Sequence, residues 1–471
     1  MGFDLVLGMT VGGKSVGGTG LPVVDPATGE TFAEAPLASE AVLDEALRSA
    51  RSSQPAWAAQ PIDERRSVLV ELGEGLAARA DEVATVLTRE NGKPLREAMD
   101  EVTLAAQWFG WIAGLELEAA IARKTPDSYV RMLRVPLGVV GAITPWNYPI
   151  ILAVVKIAPA LLAGNTVVLK PSPHAPLSPL LMGETLAPLL PAGVLNVLSG
   201  GDTLGERLVS HGFCDMVSLT GSVSAGRSAA VSAARDLKKA ILELGGNDAA
   251  IVFPDVDIDG VAEALFAAAF VNAGQFCAAV KRVYAHKSIA RSLADRLAMR
   301  ADATIVGNGL DARTQMGPLT IEGQVLRVDA LVATARSAGG QVLAGGYRID
   351  APGFFYRPTI VFEPSTNTAL EVTEQFGPAL PVMEFVDLDE AVSRANATSY
   401  GLGASVWTGN GALAQKVASR LKVGTVWVNT HGELSHDVPF GGVKSSGMGV
   451  EYGQLGLEEF TQLKVVSERL H

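Results

Sequence analysis

Cysteine is scarce in this chain, and its scarcity narrows the setting in which the protein works. Only Cys214 and Cys277 occur among 471 residues. One disulfide is possible, but so few cysteines are typical of a reducing compartment, where a thiol can be kept for chemistry. We therefore expect a cytoplasmic protein in which Cys277 has a chemical role.

Basic charge and long uninterrupted apolar runs are also lacking. The formal net charge of −12 argues against nonspecific binding to nucleic acid. The apolar run from Ile150 ends at Lys156, and the run over residues 261–280 contains Glu263. Neither run supplies the roughly 20 apolar residues of a membrane span. Residues 1–4 carry no basic region of the kind that opens a secretory signal. We expect neither a nucleic-acid partner nor a membrane.

What is present is typical of a globular enzyme. Hydrophobic residues make up 48% and charged residues 19% of the chain, which fits packed domains rather than a disordered protein. A chain of 471 residues is too long for one compact core and fits two domains with an appendage. Apolar residues three and four positions apart predict helices over residues 40–51, 61–80 and 81–115.

From Val135 onwards, short apolar runs alternate with helical stretches. The runs are continuously apolar, which indicates strands buried on both faces of a parallel sheet. The connections are long enough for crossover helices, so doubly wound sheets follow. The sequence therefore predicts an α/β protein with two doubly wound parallel-sheet domains. Strands are predicted at residues 139–143, 166–169, 194–198, 216–219 and 240–242, and in a second set at 249–253, 283–285, 358–361 and 424–428.

Three side chains together point to covalent chemistry at a carbonyl. Cys277 has small neighbours that leave its sulfur open to a carbon atom. Glu243 ends an apolar run before Gly245-Gly246, so its carboxylate is placed to take a proton from water at the mouth of an α/β site. Asn147, in Pro145-Trp146-Asn147, offers an amide N–H to an oxyanion. Singly they would be a structural cysteine, a surface carboxylate and a helix cap. Together they match the oxidation of an aldehyde through a thioester.

In this order along the chain, the motifs resemble the aldehyde dehydrogenase superfamily. The similarity runs over nearly the whole length, from Val23-Val24-Asp25-Pro26-Ala27-Thr28-Gly29 to Pro439-Phe440-Gly441-Gly442. It includes Gly164-Asn165-Thr166-Val167 and Glu374-Gln375-Phe376-Gly377-Pro378. The resemblance implies the fold of that superfamily, with a Rossmann-type cofactor domain, a catalytic domain and a β-ribbon used for oligomerisation.

The resemblance also implies an NAD(P)-dependent, non-phosphorylating aldehyde dehydrogenase. The Cys277 thiolate would form a thiohemiacetal and then a thioester, while Asn147 and the backbone N–H of Cys277 hold the oxyanion. Glu243 would activate the water that releases the acid. Two alternatives stay open. A CoA-acylating relative would not need Glu243 as a base, and a catalytically silent scaffold would not need the intact trio.

Cofactor residues are implied in the same way. Lys170 would contact the adenosine ribose and Glu374 the nicotinamide ribose, while small residues at a helix N-terminus suit a pyrophosphate. Many relatives that prefer NAD carry Glu three positions after the lysine, where this chain has Pro173. We expect NAD to be favoured and NADP tolerated. The predicted cofactor residues are Thr144, Pro145, Trp146, Lys170, Ser172, Gly201, Gly205, Thr220, Gly221, Ser222, Leu244, Gly245, Gln324, Glu374 and Phe376.

The resemblance implies a mostly apolar substrate tunnel. Val155 is small where many relatives place a large aromatic residue, and no arginine is seen that would hold a second carboxylate. We expect a medium-sized apolar aliphatic or aromatic aldehyde. His431 and His436 flank a loop that the family places at the substrate mouth without metal, so no metal is expected. The predicted lining is Tyr148, Leu152, Val155, Val271, Phe276, Ala278, Leu434 and Phe440, with Trp108 or Trp111 from an upstream helix.

The assembly is predicted from a ribbon near the middle of the chain. Residues 128–135 alternate polar and apolar side chains, and an isolated ribbon is only marginally stable in water. In the superfamily such a ribbon, joined by a C-terminal strand like residues 463–466, reaches another subunit. We expect a homo-oligomer, either a dimer or a tetramer. The predicted domain limits are 1–120 and 138–244 for the cofactor domain, 245–450 for the catalytic domain, and 121–137 with 451–471 for the ribbon and tail.

Overall fold

The computed structural model describes residues 7–117, 119–363 and 366–470. Residues 1–4, for which no targeting signal is expected, lie outside these ranges, as does residue 471 of the predicted tail. Among the described residues, none of the helices combines the length and the apolar character that a membrane span requires.

Strands and helices alternate through most of the described chain. The strands are β1 Met9–Val11, β2 Lys14–Val16, β3 Thr19–Asp25, β4 Glu30–Leu37, β5 Ala120–Thr125, β6 Ser128–Pro136, β7 Val139–Ile143, β8 Thr166–Lys170, β9 Leu195–Val197, β10 Met216–Thr220, β11 Lys239–Glu243, β12 Asp248–Val252, β13 Val280–His286, β14 Gln341–Ala344, β15 Thr359–Phe362, β16 Ala379–Phe385, β17 Gly403–Trp407, β18 Thr425–Val428, β19 Gly447–Met448 and β20 Thr461–Arg469.

The helices cover the faces of the sheets. They are α1 Glu40–Ala58, α2 Ile62–Ala78, α3 Ala80–Asn91, α4 Leu95–Ala113, α5 Pro149–Leu162, α6 Leu177–Leu186, α7 Asp202–Ser210, α8 Val223–Arg235, α9 Ile258–Phe270, α10 Ala290–Ala303, α11 Glu322–Ser337, α12 Ala369–Val372, α13 Leu388–Asn396, α14 Gly411–Ala418 and α15 Gly453–Glu459. Short 3-10 turns occupy Ala187–Leu189, Val271–Gly274 and Lys444–Ser446.

Two mostly parallel sheets form the framework, so the predicted α/β fold is confirmed. The first has the order β19-β11-β10-β7-β8-β9-β1-β2, and the second β14-β15-β16-β13-β12-β17-β18. Strands β7 and β8 consist largely of valine, leucine and isoleucine, and these two strands and β10 are buried along nearly their whole length, because helices cover both faces. From β7 the chain adds β8 on one side and later β10 on the other. The strand order reverses there, which opens a crevice at the carboxyl ends of β7 and β10.

Two predicted helices are wrong in their extent. The first was predicted over residues 40–51, but α1 runs on to Ala58. The pattern over residues 81–115 predicts a single helix, but the structure has α3 and α4 with a break between them. Gly92 adopts a left-handed conformation with φ 98° at the end of α3, and its N–H donates to the carbonyl of Thr88. Pro94 then precedes α4. Glycine tolerates positive φ and proline cannot continue a helix, so the break is local in origin.

The predicted ribbon and its partner strand are present. Strand β6 pairs with β5 on one side and with β20 on the other, with Leu463 opposite Arg134 and Val466 opposite Arg131. Apolar side chains on this small sheet stay open to solvent: Ile121 is 58% exposed and Val465 58% exposed. Contact with another subunit stays a prediction, and so do the domain limits.

Candidate active site

Cys277 lies on a strained loop between α9 and β13. Asn272 and Ala273 have φ of 47° and 55°, and Gly274 follows with φ of 74°. Left-handed backbone costs a non-glycine residue about 1–2 kcal/mol, so surrounding contacts must hold the loop. Buried Gln275 supplies two of them: its Nε2 donates to the carbonyl of Asn272 at 3.0 Å, and its Oε1 accepts from the N–H of Thr320 at 3.0 Å.

The surroundings of Cys277 disfavour its thiolate form. The residue lines a cavity and is partly exposed, and burial raises the pKa of the Cys277 thiol above its usual range. The carboxylates of Glu243 and Glu374 add to the rise, and Lys281 opposes it. A reactive thiolate therefore requires transfer of the proton to a base. Cys214 differs, because it is 1% exposed and its Sγ lies 3.2 Å from the carbonyl of Met216.

Asn147 is held within reach of the nucleophile loop. Its Nδ2 donates to the carbonyl of Gln275 at 2.9 Å. Its own carbonyl accepts from Lys93 Nζ at 2.7 Å and from Asn272 Nδ2 at 2.9 Å. Its buried Oδ1 has no hydrogen-bond partner within the described part of the chain. An amide nitrogen has two N–H groups, so one remains for a ligand oxygen beside Cys277.

Glu243 ends β11, opposite Thr220 of β10. The side chain is 5% exposed, and its Oε1 has no hydrogen-bond partner among the described residues. Burial raises the pKa of Glu243 well above its ordinary value, the negative charge of Glu451 raises it further, and Lys156 lowers it. A buried carboxyl group with a free oxygen and a raised pKa is suited to take a proton near neutral pH.

The buried pair that tunes Glu243 was not predicted as part of the site. Lys156 is the one charged residue of α5, which is buried along its whole length. Its Nζ lies 2.5 Å from Oε1 of Glu451, which also accepts a bond from Ser218 Oγ at 3.4 Å. A buried charge requires a partner, so the lysine inside an apolar helix was itself the available signal. The partner could not be read from sequence, because it lies 295 positions away.

A cavity of about 370 Å³ opens beside Cys277. Most of its wall was predicted, and Val223, Ser224, Ile321, Arg327 and Tyr400 are additional. Gly245 lets the Glu374 carboxylate approach the backbone closely, because a Cβ at this position would force that carboxylate to move. Glu374 is anchored by the N–H of Gly246, which donates to its Oε1 at 3.0 Å. The predicted residues brought together here are Pro145, Trp146, Asn147, Thr220, Gly221, Ser222, Leu244, Gly245, Cys277, Gln324, Glu374 and Phe376.

A second cavity of about 880 Å³ shares Ser222 and Ser224 with the first. It contains Lys170 and Gly205 of the predicted set, together with Asp202, Glu206 and Arg227. Burial lowers the pKa of Lys170 to about 8, and the negative charge of Asp202 opposes this.

The two cavities together fit a dinucleotide. The N-terminus of α8 lies between them, where Ser222 Oγ accepts from the N–H of Ala225, and a helix N-terminus suits a pyrophosphate. The buried hydroxyls of Thr144 and Thr220 have no hydrogen-bond partner among the described residues. Lys170 would hold the adenosine end of NAD(P), and Glu374 the nicotinamide end beside Cys277.

Three predicted cofactor residues lie outside the walls of both cavities. The N–H of Thr144 donates to the carbonyl of Lys170 at 3.2 Å. Ser172 Oγ accepts from the N–H of His174 at 3.3 Å. Gly201 precedes α7 as its cap. Their positions fit support of the loops that follow β7, β8 and β9.

Aromatic side chains dominate the predicted substrate side. The rings of Tyr148 and Phe276 pack edge to face, with their centres 5.4 Å apart. The ring of Trp111 stacks on that of His436 with centres 4.2 Å apart, and the ring of Trp108 packs edge to face on Tyr452 with centres 4.9 Å apart. Burial separates the predicted lining into two groups. Trp108, Leu152, Val155, Ala278 and Phe440 are buried, whereas Trp111, Tyr148, Val271, Phe276 and Leu434 are partly exposed.

His431 and Asp248 form a second buried pair that sequence reasoning missed. His431 Nε2 lies 3.1 Å from the carbonyl of Ala278 and 3.8 Å from Asp248 Oδ2. Burial lowers the pKa of His431 to about 3 and raises the pKa of Asp248 to about 7. His431 is therefore a neutral buried support of the nucleophile loop. The described residues contain no group of three or more side chains suited to hold a metal ion.

Comparison with known proteins identifies the family. The chain matches the model of the aldehyde dehydrogenase family over residues 13–466. It is 38% identical over 457 residues to betaine aldehyde dehydrogenase of Cereibacter sphaeroides, covering 95% of this chain and 94% of the relative. It is 39% identical over 474 aligned residues to phenylacetaldehyde dehydrogenase of Pseudomonas fluorescens, covering 96% and 94%.

A solved structure of an aldehyde dehydrogenase with bound NAD+ has the same fold as this chain. The NAD+ complex of an aldehyde dehydrogenase from Bacillus cereus superimposes with a TM-score of 0.97 at 31% identity, covering 100% of this chain and 98% of that chain. The chain therefore belongs to the aldehyde dehydrogenase family and is an NAD(P)-dependent aldehyde dehydrogenase.

Proposed function

We propose that the enzyme oxidises a medium-sized apolar aliphatic or aromatic aldehyde to the free carboxylic acid. Cys277 is the nucleophile, Asn147 holds the oxyanion, and Glu243 is the base that activates water. The observation that carries this proposal is the buried, unpartnered Oε1 of Glu243 in the surroundings of Cys277. A base for water is required when the acyl group is released by hydrolysis, and transfer to CoA does not need one.

The first half of the reaction uses Cys277 and Asn147. Once its proton has passed to solvent hydroxide, which forms water, Cys277 Sγ attacks the aldehyde carbon and forms a C–S bond as the C=O π pair moves to oxygen. The carbonyl oxygen then carries the negative charge, and it accepts hydrogen bonds from Asn147 Nδ2 and from the N–H of Cys277. NAD(P)+, when bound, accepts the hydride that leaves this carbon. The carbonyl re-forms as a thioester on Cys277.

The second half uses Glu243. Its carboxylate takes a proton from water, and the water oxygen bonds to the thioester carbon. The oxyanion forms again at Asn147 and collapses, the C–S bond breaks, and Cys277 leaves as a thiolate. The product is the free acid. Both halves therefore use the same oxyanion site, but only the second requires a base for water.

The substrate class follows from the character of the walls. Tyr148, Phe276 and Trp111 provide partly exposed aromatic surface, which favours an apolar chain or ring. The relatives named for phenylacetaldehyde and betaine aldehyde span a neutral aromatic and a cationic substrate. The neutral class is the one proposed here.

A panel of aldehydes tests the proposal directly. Phenylacetaldehyde and straight-chain aldehydes of graded length should reduce NAD+ with kcat/KM well above that for betaine aldehyde or succinic semialdehyde. Product release should not depend on CoA. A thioester product formed only with CoA would contradict the hydrolytic mechanism, and the absence of turnover with every aldehyde would favour a silent scaffold.

Replacing Pro173 should shift the choice of cofactor. Pro173 offers neither an acceptor for the ribose 2′-hydroxyl nor a charge that repels a 2′-phosphate. We expect Pro173→Glu to move the kcat/KM ratio towards NAD by roughly ten- to a hundredfold, because a carboxylate a few ångströms from a 2′-phosphate costs about 1–3 kcal/mol. Pro173→Gln is the uncharged control. A wild type that already rejects NADP by several orders of magnitude would show that another residue sets the choice.

We infer the assembly from the exposed sheet of β5, β6 and β20. Its exposed apolar residues Ile121, Leu463 and Val465 favour burial against a second copy, as a dimer or tetramer. The predicted domain limits of 1–120 with 138–244, 245–450, and 121–137 with 451–471 are retained as part of this proposal. Two free cysteines support a cytoplasmic enzyme.

A further inference from the structure

A cluster of charged side chains, two of them buried, lies against Asn147 and the nucleophile loop, and the mechanism does not use it. Lys93 precedes α4 and is 1% exposed, and Glu101 on α4 is 4% exposed. Glu97, which is half-buried, lies between them in the first turn of the same helix. Buried charged side chains are costly unless each is fully partnered. The partners of these three residues connect them to the reacting groups.

Lys93 contacts the oxyanion residue directly. Its Nζ lies 2.6 Å from Glu101 Oε2 and 2.7 Å from the backbone carbonyl of Asn147. The same ammonium lies 3.8 Å from the centre of the Tyr148 ring, a cation–π contact. A lysine has three N–H donors. One bonds Glu101 of α4 and one bonds the Asn147 carbonyl, while the ammonium also faces the Tyr148 ring.

Glu101 fixes the other end of that turn. Its Oε1 accepts from the backbone N–H of Ile150 at 2.9 Å and of Ile151 at 3.3 Å. These N–H groups belong to the first turn of α5, where a carboxylate is favoured by the helix dipole. The pair of Lys93 and Glu101 therefore holds Asn147 from both sides along the chain.

Glu97 extends the support to the nucleophile loop. Its Oε2 accepts from the N–H of Asn272 at 3.0 Å. Asn272 in turn donates to the carbonyl of Asn147 at 2.9 Å. One short stretch of chain, from Lys93 to Glu101, thus contacts both halves of the oxyanion site.

We propose that Lys93 is a positioning residue for oxyanion stabilisation. It rests on the proposed function, because it acts through Asn147 on the oxygen of the substrate bound to Cys277. The ammonium fixes the Asn147 peptide so that Nδ2 and the N–H of Cys277 face the same oxygen. An oxyanion donor is effective only when it is held in place before the charge develops, and a displacement of about 1 Å is enough to cost a hundredfold in rate.

A mutant cycle with Asn147 separates positioning from a general effect on the fold. Lys93→Gln, Asn147→Ala and the double variant are compared with wild type by the pre-steady-state burst of reduced NAD and by the Kd for NAD+. Lys93→Gln should slow the burst roughly ten- to a hundredfold, without changing the Kd for NAD+. The double variant should be no slower than Asn147→Ala alone, because Lys93 acts only through that residue.

Glu90→Gln is the matched control. Glu90 is equally buried and accepts from the N–H groups of Leu177 and Ser178 at the start of α6. It should leave the burst rate near that of wild type. If Lys93→Gln fails to fold, Lys93→Met combined with Glu101→Gln removes both charges of the pair and enters the same cycle.

The outcomes distinguish this inference from the function on which it rests. Three results would each overturn the positioning role of Lys93. The double variant could slow the burst by the product of the two single effects, Lys93→Gln could leave the burst rate unchanged, or Glu90→Gln could slow the burst as much as Lys93→Gln does. An unchanged burst in Asn147→Ala would instead overturn the oxyanion assignment itself.

Discussion

Replacing Cys277 with alanine is expected to abolish aldehyde oxidation while leaving NAD+ binding almost unchanged. Without the sulfur no thiohemiacetal can form, so the carbon never reaches the state from which hydride leaves. Loss of a nucleophile commonly costs on the order of a millionfold in rate. The measurement is the burst and steady-state formation of reduced NAD, together with the Kd for NAD+. Activity above about a tenth of wild type would contradict the assignment.

Cys214 provides the matched control. It is a second cysteine, 1% exposed, packed under the first sheet away from both cavities. Cys214→Ala should retain the burst and lose only stability. Alkylation supplies a second readout. Burial raises the pKa of both thiols, but only Cys277 lines one of the two cavities, so iodoacetamide should reach it in the native protein before it reaches Cys214. Protection of Cys277 by aldehyde would support its contact with substrate.

Strands β7 to β11 were predictable because their signal is local, whereas β16 and β17 of the second sheet were missed. A run such as residues 139–143 is apolar at every position, and burial on both faces of a parallel sheet requires this. The helix break after Asn91 was also visible in sequence, since Gly92 is a common signal for the end of a helix and Pro94 for the start of the next. It was missed because apolar spacing on both sides of the break stays in phase with one long helix.

The proposed reacting residues could be selected from the sequence, but the residues that support them could not. Cys277, Glu243 and Asn147 lie in short motifs, and their residue types suggest a nucleophile, a base and an oxyanion donor. Lys156 and Glu451 are different, because each looks like a solvated charge until the fold buries both and places them 2.5 Å apart. Buried ion pairs depend on tertiary contact, so a sequence pattern shows at most one unexplained charge in an apolar run.

The substrate walls show the same limit. Phe440 and Trp108 were predicted as lining, but they are 4% and 3% exposed and pack on Tyr452. Whether an aromatic residue faces a tunnel or the core depends on its neighbours in three dimensions. Substrate size is therefore decided by measurement on the aldehyde panel.

Replacing Glu243 with glutamine should separate the two halves of the reaction. Hydride departure does not require a base for water, so the burst of reduced NAD should persist. Hydrolysis does require one, and the steady-state rate should fall by about a hundred- to ten-thousandfold. The measurement is a stopped-flow trace with excess aldehyde, followed by acid quench and mass analysis for the acyl group on Cys277. Equal slowing of both phases, or no trapped acyl group, would contradict the role of Glu243.

The pH profile of hydrolysis gives the sign of the electrostatic effect. The base acts as carboxylate, so the hydrolytic rate should rise with pH through the raised pKa of Glu243. The negative charge of Glu451 raises that pKa, and Lys156 lowers it. Glu451→Gln removes the raising charge and leaves the ammonium of Lys156 unneutralised, and both changes lower the pKa of Glu243. The rising limb should therefore move to lower pH in Glu451→Gln, with the burst retained. If the pH at which the hydrolytic rate rises is unchanged in Glu451→Gln, another group is the base. If that pH increases, the charges of Glu451 and Lys156 act on Glu243 with the opposite sign.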